Sequence, residues 1–519
     1  MTNSIPHIHK YLKLLCILIG ALGTSWSSSA QGGFSKLYIE GSGTANILYD
    51  HPHIITAAQT SDTNGVRGIL FMKLDAYGDT LFTKALFNDS LDMHPGFQNA
   101  LIKSSDDRYI LAGYRLPESY IMRLDSNFNV LDTTFFQMDG EWTAALSVTE
   151  SANRDFLITG TSYWLDTIRQ ESRKGFLAAR FDAQLNLKWI KRFHTPSVNG
   201  KTVEQQAYHI KEDWFGDILL SGYRQAIGED NSLDGLILKL NTSGDLIWEK
   251  LIGGSTYDDD IINIGFTPDS MYFISTSKGV NLFTISPSEV SSRKVNRFLL
   301  LDTAGSILQD KQYNHLKPSS VTTDLFKVQD GLITVGSYID WDTDWQTRNA
   351  LFRSFVFKTD FKGDSIWYRE YVAGTFQSDW NILYDLAATP DGGLVAGGHF
   401  QSQTSPLTGQ PGSHVWIVRT DSMGCVVQGC QYISTEEAVE VAGITVYPNP
   451  VQTYFKVQGI PGVTTTVKIY DVNGHEVLYL PEVQNQQAVP LNNLPKGLYL
   501  VQVLQKEQVV HSQKLMVQP

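Results

Sequence analysis

Residues 235–250, GLILKLNTSGDLIWEK, decide the fold of this chain. An apolar strand carries Lys239 two places before Asn241, a turn follows at Gly244, and a second strand starts at Leu246. The pattern occurs seven times between Gly68 and Asp421, and the other copies are GILFMKLDAYGD, SYIMRLDSNFN, GFLAARFDAQLN, RFLLLDTAGS, SFVFKTDFKGD and HVWIVRTDSMG. The marker positions of the copies are Asp75, Asp125, Asp182, Asn241, Asp302, Asp360 and Asp421.

The spacing of these markers indicates the architecture. The intervals are 50, 57, 59, 61, 58 and 61 residues, a mean of (421 − 75)/6, or about 58. That period is too long for a solenoid coil and fits a four-stranded propeller blade with its loops. The sequence therefore predicts an all-β chain in which residues 31–430 form a seven-bladed β-propeller. The segment Phe34–Glu40 precedes the first copy, and we expect it to supply the missing outer strand of the last blade, because closure removes two sheet edges.

Three repeated positions carry structural rather than ligand-binding expectations. Each marker Asp is expected to bond backbone N–H groups of its turn, with the turn shifted onto Asn129 and Asn186 in copies two and three. Large aromatic residues seven places after the marker are expected to pack blade against blade; they are Phe82, Trp189, Trp248 and Trp367. Small residues in the second strand of each blade are expected where neighbouring sheets wedge together near the axis; they are Gly113, Gly160, Gly222, Gly336 and Gly398.

Composition limits the class of protein. Only 18% of residues are charged, whereas Tyr (23), Phe (25), Trp (11) and Gly (42) are abundant, as in all-β extracellular proteins. The net charge of −13 repels phosphate backbones, so a nucleic acid is not expected as a partner.

The N-terminus and the cysteines indicate an exported protein. Basic residues precede the apolar run Leu14–Leu22, and small residues precede a predicted cleavage between Ala30 and Gln31, so residues 1–30 are a predicted signal peptide. Nine apolar residues are too few to span a bilayer, and no later stretch approaches the ~20 that a transmembrane helix needs. Cys425 and Cys430 would then remain in an oxidising compartment, which predicts a local disulfide between them.

Candidate binding residues lie where the connections between strands are long. The predicted long connections join the second and third strands of several blades, and binding residues concentrate on long loops of rigid frames. The candidate ligand-binding residues are Trp142, Tyr163, Trp164, Tyr208, Trp341, Trp345, Asp379 and Trp380. Of these, Trp142, Tyr208 and Trp380 are expected to start inner strands at the mouth of the channel. Exposed aromatic side chains beside Asp and Asn suit a glycan or a protein ligand. The alternative is that these aromatic side chains fold down as small local cores.

A metal site and catalysis receive weaker support. Asp340, Asp342 and Asp344 alternate as calcium ligands do, but Trp345 and Leu351 replace the Gly and Glu of such a loop, so a solvated acidic loop is the alternative to Ca²⁺ binding. No catalytic motif is present, and we predict a protein that is not an enzyme. Glu204, Asp260, Asp324 and Asp379 could supply a pair of carboxylates, so a hydrolase or lyase acting on polysaccharide stays open, as does a structural or adhesion role.

Two resemblances add to this interpretation. The repeat, with GDLIWEK at Gly244–Lys250, resembles bacterial delta-sixty-repeat propellers and the tryptophan-bearing blades of pyrroloquinoline-quinone proteins, which implies a fold and no activity. Residues 442–519 are nearly neutral, contain a predicted Asn473-Gly474 hairpin and predict a small immunoglobulin-like β-sandwich, joined by an acidic linker at 431–441.

This C-terminal segment resembles the type A sorting domain that the type IX secretion system of Bacteroidota recognises. The resemblance rests on ordered motifs at Tyr447-Pro448-Asn449-Pro450, Asp471-Val472-Asn473-Gly474, Gly497-Leu498-Tyr499 and Lys514. It implies that the type IX machinery is a partner and that the protein crosses the outer membrane to the cell surface or the medium.

Overall fold

The structure is a computed structural model. It describes residues 33–39, 41–88, 91–166, 171–195, 197–198, 201–226, 233–253, 262–286, 289–313, 320–340, 351–374, 379–426, 444–459, 465–470, 476–491, 494–505 and 508–518. Every regular element in these ranges is a β-strand, which confirms the all-β prediction. The predicted signal peptide and linker lie outside the described residues.

The strands up to residue 426 fall into consecutive sets, which we number in chain order. The leading strand is β1 (Phe34–Tyr38). Set 1 holds β2 (Ser42–Asp50), β3 (His53–Ser61), β4 (Arg67–Leu74) and β5 (Thr80–Leu86); set 2 holds β6 (His94–Pro95), β7 (Leu101–Lys103), β8 (Tyr109–Arg115), β9 (Glu118–Leu124) and β10 (Val130–Phe136). Set 3 holds β11 (Trp142–Glu150), β12 (Phe156–Asp166), β13 (Glu171–Phe181) and β14 (Leu187–Phe193); set 4 holds β15 (Ser197–Val198), β16 (Lys201–Glu212), β17 (Ile218–Ala226), β18 (Leu233–Leu240) and β19 (Leu246–Ile252).

The remaining strands continue the pattern and then form a separate unit. Set 5 holds β20 (Asn263–Phe266), β21 (Tyr272–Ser286), β22 (Glu289–Leu301) and β23 (Ile307–Tyr313); set 6 holds β24 (Ser320–Val328), β25 (Gly331–Asp340), β26 (Leu351–Thr359) and β27 (Ser365–Tyr371); set 7 holds β28 (Trp380–Ala388), β29 (Leu394–Ser402) and β30 (Gly412–Thr420). The C-terminal strands are β31 (Thr445–Tyr447), β32 (Tyr454–Gln458), β33 (Thr465–Tyr470), β34 (Glu476–Val483), β35 (Ala488–Pro490), β36 (Gly497–Gln505) and β37 (Gln508–Val517).

Each set is an antiparallel meander, and we call its strands a to d in chain order; β6 and β7 both pair with β8 and together form strand a of set 2, and β15 is an additional strand beside strand a of set 4, which is β16. The a strands of neighbouring sets contact one another in a cycle, β2–β7–β11–β16–β20–β24–β28 and back to β2. Single parallel bridges, Lys174 with Glu204 and Phe352 with Trp380, join sets 3 and 4 and sets 6 and 7 into larger sheets. The a strands therefore surround a common axis, in a propeller-like arrangement.

The N-terminal strand completes set 7, as predicted. β1 pairs antiparallel with β30, with Phe34 opposite Arg419 and Tyr38 opposite Val415. Tyr38 donates its hydroxyl to the carbonyl of Gly78 in set 1 at 2.7 Å, so the completed set also contacts the first one.

The turns between strands c and d confirm the role of the marker residues. Asp75 Oδ1 accepts the backbone N–H groups of Tyr77 and Asp79 at 2.8 and 2.9 Å, and Gly78 adopts a φ of +78°. The prediction of a shifted turn in copies two and three is wrong, because Phe128 and Leu185 themselves take the positive φ, at +58° and +63°. Phe128 tolerates this conformation where its ring stacks on Phe71 at 5.2 Å.

The repeated aromatic residues pack between sets, as predicted. Trp248 covers Gly305 of the following set and donates its indole N–H to the carbonyl of Thr303 at 3.2 Å. Trp367 covers Gly424 in the same way and donates its indole N–H to the carbonyl of Ser422 at 3.2 Å. A Cβ at Gly424 would lie only 2.8 Å from the Trp367 ring, so this glycine is required both for its φ and for the close approach.

The small residues of strand b are required for a different reason than predicted. A Cβ at Gly160 would lie 1.9 Å from the carbonyl oxygen of Ala144, and Gly398 has the same relationship to Ile382. Both oxygens belong to strand a of the same set, immediately before a β-bulge. The glycines thus accommodate a bulge in their own sheet and not a neighbouring sheet.

Several connections predicted as long loops are extensions of strands. β12 and β13 remain paired out to Asp166 and Glu171, and β21 and β22 remain paired out to Ser286 and Glu289. The predicted sites on them are therefore carried by hairpins.

The C-terminal unit has its own core. One sheet contains β31, β32 and β35, and the other contains β34, β33, β36 and β37. Both sheets contribute to a single cluster that includes Phe455, Val467 and Val501. No described residue of the propeller-like part belongs to that cluster.

Candidate functional site

One face of the propeller-like part holds most of the candidate residues. We call it the loop face, because strands b lead to c and strands d lead to a at this side. Trp142 is the first residue of β11, is 57% exposed, and lies opposite Tyr163 of β12. Trp380 is the first residue of β28, is 42% exposed, and packs against Phe352 with ring centroids 4.8 Å apart. These two tryptophans occupy the positions that the sequence predicts.

Four half-buried tyrosines gather beside Trp142, and we call Tyr114, Tyr163, Tyr208 and Tyr223 the tyrosine cluster. Burial raises the pKa of Tyr208 well above its usual value, and Tyr223 and then Tyr163 raise it further. Burial also raises the pKa of Tyr114 and of Tyr223, and Tyr163 contributes to both shifts. Tyr163 therefore lies within electrostatic range of the other three hydroxyls. All three shifted hydroxyls are neutral at physiological pH.

Most hydroxyls of the cluster have no protein partner within the described ranges. Tyr223 directs its hydroxyl to Oε1 of Gln206 at a long 3.4 Å. Tyr114, Tyr163 and Tyr208 make no hydrogen bond through the hydroxyl with any described residue. Half-buried phenols with free hydroxyls can donate to and accept from a bound molecule.

Charged groups at the cluster are balanced. Lys174 Nζ lies 2.9 Å from Oε2 of Glu204. Burial opposes the charge on Lys174, but the hydrogen bond to Glu204 leaves its pKa raised. His94 stacks on Tyr114 with centroids 4.8 Å apart, and burial, with Arg67, lowers its pKa, so this ring is neutral at physiological pH.

An aromatic floor closes the axis below the cluster. In set 2 the inner strand is interrupted between β6 and β7, and residues 96–100 form the interruption. The ring of Phe97 lies 5.5 Å from that of Tyr208 and 4.9 Å from that of Tyr384, which belong to sets 4 and 7. Residues from three sets meet only where their inner strands converge, so Phe97 lies at the axis, in contact with the tyrosine cluster.

A ring of buried polar residues lies on the inner strands, at the position that directly follows Tyr208 and Tyr384. We call it the axial collar: Asn46, Ser147, His209, Asn263, Asp324 and Asp385. They occupy equivalent positions opposite strand b.

The collar links sets directly across the axis. Asp324 accepts from Asn99 Nδ2 at 2.8 Å and from the backbone N–H of Leu325 at 2.7 Å. Asp385 accepts from the backbone N–H groups of Ile47 and Leu386, both at 3.0 Å. These carboxylates are buried and hold main chain together.

Burial dominates the titration of the collar. It raises the pKa of Asp385 well above its usual value, and the adjacent Asp324 carboxylate raises it further. Burial lowers the pKa of His209 to about 4, against the attraction of Asp324. Burial therefore favours the protonated form of Asp385 and the neutral form of His209.

The other predicted ligand-binding residues have different surroundings. Tyr208 does not start its strand as predicted, since β16 begins at Lys201, and it lies deep in the pocket. Trp164 is sandwiched between the guanidinium of Arg192, 3.9 Å from its ring, and His194, at 4.8 Å, so it belongs to a small local core. Asp379 is fully buried.

Several predicted sites fall outside the described residues: Trp341, Trp345, Asp342, Asp344, Cys430, Asp471 and Gly474. Asp340 is the last residue of β25. Among the described residues, no group of three or more His, Cys, Asp or Glu side chains is placed to hold a metal ion. Cys425 is buried and disulfide-bonded, while its pairing with Cys430 stays a prediction.

Sequence reasoning missed Tyr114, Tyr223 and Asp385 as parts of the site. A signal for the two tyrosines was present, because each directly follows the aligned glycine of strand b, in LAGYR and LSGYR. Asp385 follows a bulge that the repeat spacing does not reveal.

The sorting motifs meet in the C-terminal unit. Asn449 donates from Nδ2 to the carbonyl of Lys514 at 2.6 Å and accepts the N–H of Met516 through Oδ1 at 2.9 Å. Tyr499 is buried and donates its hydroxyl to the carbonyl of Pro495 at 2.8 Å. The motif Tyr447-Pro448-Asn449-Pro450 is thus bonded to the last strand, β37.

This unit matches a known family. Residues 445–518 match the model of the secretion system C-terminal sorting domain. The match identifies a type IX sorting domain, which marks the protein for secretion to the cell surface or the extracellular medium, and the predicted localisation is confirmed.

The propeller-like part resembles solved structures only distantly. A family PL25 ulvan lyase bound to a saccharide is 9% identical, with a TM-score of 0.46 over 76% of this chain and 98% of the lyase. The WD40 domain of Neurospora crassa Pan2 is 8% identical, with a TM-score of 0.41 over 73% and 89% of the two chains. The WD40 domain of Toxoplasma gondii coronin is 9% identical, with a TM-score of 0.41 over 77% and 90%.

No curated protein shows significant similarity to this chain. The described part of the chain contains no helix that is long and apolar enough to cross a membrane.

Proposed function

We propose that this protein is a non-catalytic, seven-bladed β-propeller of Bacteroidota that the type IX system delivers to the outside, where its loop face binds a glycan. Each strand set is one blade, and β1 closes the ring through set 7. The tyrosine cluster carries this proposal, because half-buried phenols with free hydroxyls converge beside the exposed Trp142.

The chemistry of the cluster suits a sugar better than an extended peptide. Sugar rings present apolar faces that stack on aromatic side chains, and hydroxyls that bond to phenols. Phe97 and Tyr384 extend the aromatic surface of the cluster to the axis, where a sugar ring could stack. A protein ligand is the second outcome that a binding screen distinguishes.

The buried carboxylates favour binding over catalysis. Asp324 and Asp385 are buried and accept backbone N–H groups, so both carboxylates are engaged inside the protein and away from solvent. A polysaccharide hydrolase or lyase, the competing proposal, needs an acid and a base within reach of the bound sugar.

A printed array of glycans and peptides tests the proposal. The chain beginning at Gln31 would be compared with the variants Tyr163→Phe, which removes one hydroxyl, and Trp142→Ala, which removes the stacking surface. Loss of aromatic stacking of ~1 kcal/mol weakens binding about fivefold. Phe215→Ala, at a 67% exposed position of the opposite face, is the matched control.

We expect glycan binding that both loop-face variants weaken and that the control leaves unchanged. Binding that neither variant alters would contradict the proposed site. Release of shortened or unsaturated products from a bound polysaccharide would instead favour the enzyme, and exclusive binding of peptides would favour a protein-binding or adhesion role.

A further inference from the structure

We infer that the glycan bound at the tyrosine cluster is uncharged, rather than a uronic acid polymer or a sulfated polysaccharide. The inference rests on the proposed function and specifies its ligand. Its basis is the balance of charge around the cluster and the charge of the whole chain.

The cations at the cluster already have acidic neighbours. Lys174 is bonded to Glu204 at 2.9 Å, across the bridge that joins sets 3 and 4. Asp92 lies beside Arg67, accepts its backbone N–H at 2.9 Å, and acts on the pKa of His94 in the direction opposite to the Arg67 guanidinium. A carboxylated or sulfated sugar that approached Lys174 would also approach the Glu204 carboxylate, which repels it in this partly buried site.

Cations further along the loop face of sets 2 to 4 are paired in the same way. Arg115 lies 3.0 Å from Glu118, and Arg224 lies 3.8 Å from Asp234. Arg192 is bonded to Glu141 and stacks on Trp164. Recognition of polyanions relies on unpaired Arg and Lys, which form bidentate or point-charge contacts with carboxylates and sulfates. On the described loop face of these sets, by contrast, the Arg side chains named above each lie beside a Glu or Asp carboxylate.

The hydroxyls that line the pocket are matched to an uncharged ligand. Burial raises the pKa of Tyr114, Tyr208 and Tyr223, so these phenols remain neutral donors and acceptors over the physiological range. The net charge of −13 adds long-range repulsion against any polyanion. The neutral phenols and the net negative charge both favour an uncharged ligand over a polyanion.

The test uses the chain beginning at Gln31 on a glycan array that contains uncharged, carboxylated and sulfated glycans, with Tyr163→Phe to identify binding at the cluster. We expect every glycan whose binding Tyr163→Phe weakens to be uncharged. The dissociation constant of such a glycan should change less than about twofold between 50 and 500 mM NaCl, because no ion pair forms on binding.

A gain-of-function variant sharpens the test. Glu204→Gln frees Lys174 from its carboxylate, so it should raise binding of carboxylated glycans relative to uncharged ones several-fold. Asp364→Asn, which frees Lys311 at a c–d turn of the opposite face, should not.

The two proposals fail in different ways. If a carboxylated or sulfated glycan binds the unmodified chain and Tyr163→Phe weakens that binding, the inference of an uncharged ligand is overturned while the proposed site stands. If no glycan responds to Tyr163→Phe, the proposed function is overturned and the inference with it.

Discussion

Asn99 Nδ2 donates to Oδ1 of Asp324 at 2.8 Å, across 225 positions of the chain and from set 2 to set 6. This bond crosses the axis, because sets 2 and 6 are not neighbours in the ring. It ties the interruption in the inner strand of set 2, which carries Phe97, to the axial collar. The floor of the candidate binding pocket is therefore held by a buried polar contact beneath it.

The first prediction concerns this contact. Asn99→Ala removes the donor to a buried carboxylate and should lower the free energy of unfolding by about 1–3 kcal/mol. Asn99 also has a φ of +47°, which favours residues without a branched Cβ. Asn99→Gly removes the side chain without that strain, and its denaturant midpoint isolates the hydrogen bond. Asn64→Ala, at an exposed turn, is the control and should change the midpoint little. Equal midpoints for Asn99→Gly and the unmodified chain would contradict the prediction.

The second prediction concerns pH. The pKa of Asp385 is raised in the folded chain above its unfolded value of about 3.9, so its contribution to stability is full below that value and is lost as pH rises through the folded pKa. His209 acts in the opposite direction, since its pKa of about 4 lies below the unfolded ~6.5 and stability rises with pH between the two. Above pH 7 the effect of His209 has ended, whereas Lys211, whose pKa burial lowers, adds stability as pH rises and opposes Asp385, so the comparison with an Asp385 variant isolates the first effect.

Chemical denaturation from pH 7 to 9 measures the loss of stability that deprotonation of Asp385 causes. The unmodified chain should lose stability with a slope of up to ~1.4 kcal/mol per pH unit, the value for one proton, until the folded pKa is passed. Asp385→Asn cannot deprotonate and should flatten this slope. Asp360→Asn, in an exposed turn, should leave the slope unchanged. A slope that persists in Asp385→Asn would show that Asp385 is not its source.

The sequence predicts the repeated features of the fold well and the axis poorly, for physical reasons. Turn residues such as Asp75 and inter-set aromatics such as Trp248 recur with the period, because each set makes the same contact with the next. Phe97, Asn99 and Asp385 do not recur with the period, because each makes a contact that belongs to one particular place in the ring. Gly160 shows an intermediate case, in which the small residue is visible in the sequence but its cause, a bulge in strand a, is not.

The third prediction concerns closure of the ring. Phe34 of β1 is buried over Gly78, and a Cβ at that glycine would lie 2.6 Å from the Phe34 ring. Phe34→Ala should therefore lower the free energy of unfolding by about 3 kcal/mol, as for other large-to-small core substitutions. Deletion of residues 31–41 should lower the melting temperature more, because two strand edges lose their partner. Ile39→Ala, at a 56% exposed position, serves as the control. An unchanged melting temperature in the deletion variant would rule out closure by β1.

The fourth prediction is the disulfide between Cys425 and Cys430. Peptide mass spectrometry of the exported, non-reduced protein should find the two cysteines in one linked peptide. So short a ring contributes only about 2 kcal/mol by the loop-entropy estimate, so Cys425→Ser with Cys430→Ser should fold with a slightly reduced melting temperature. Two free thiols in the exported protein would refute the pairing.

The last prediction separates export from binding. The C-terminal unit has its own core, and its motif residues make contacts within the unit. Asn449, for example, bonds to the carbonyl of Lys514 and to the N–H of Met516. Deletion of residues 434–519 should therefore leave a folded, glycan-binding propeller in the periplasm of a host with a type IX system, as measured by fractionation and by protection from added protease. Grafting residues 434–519 onto a neutral periplasmic reporter should carry that reporter outside.

Within the full chain, Asn449→Ala should reduce export, because β37 loses two bonds to the start of the unit, whereas Tyr454→Phe should not. Arrival of the deleted chain at the surface would mean that the address lies elsewhere in the protein.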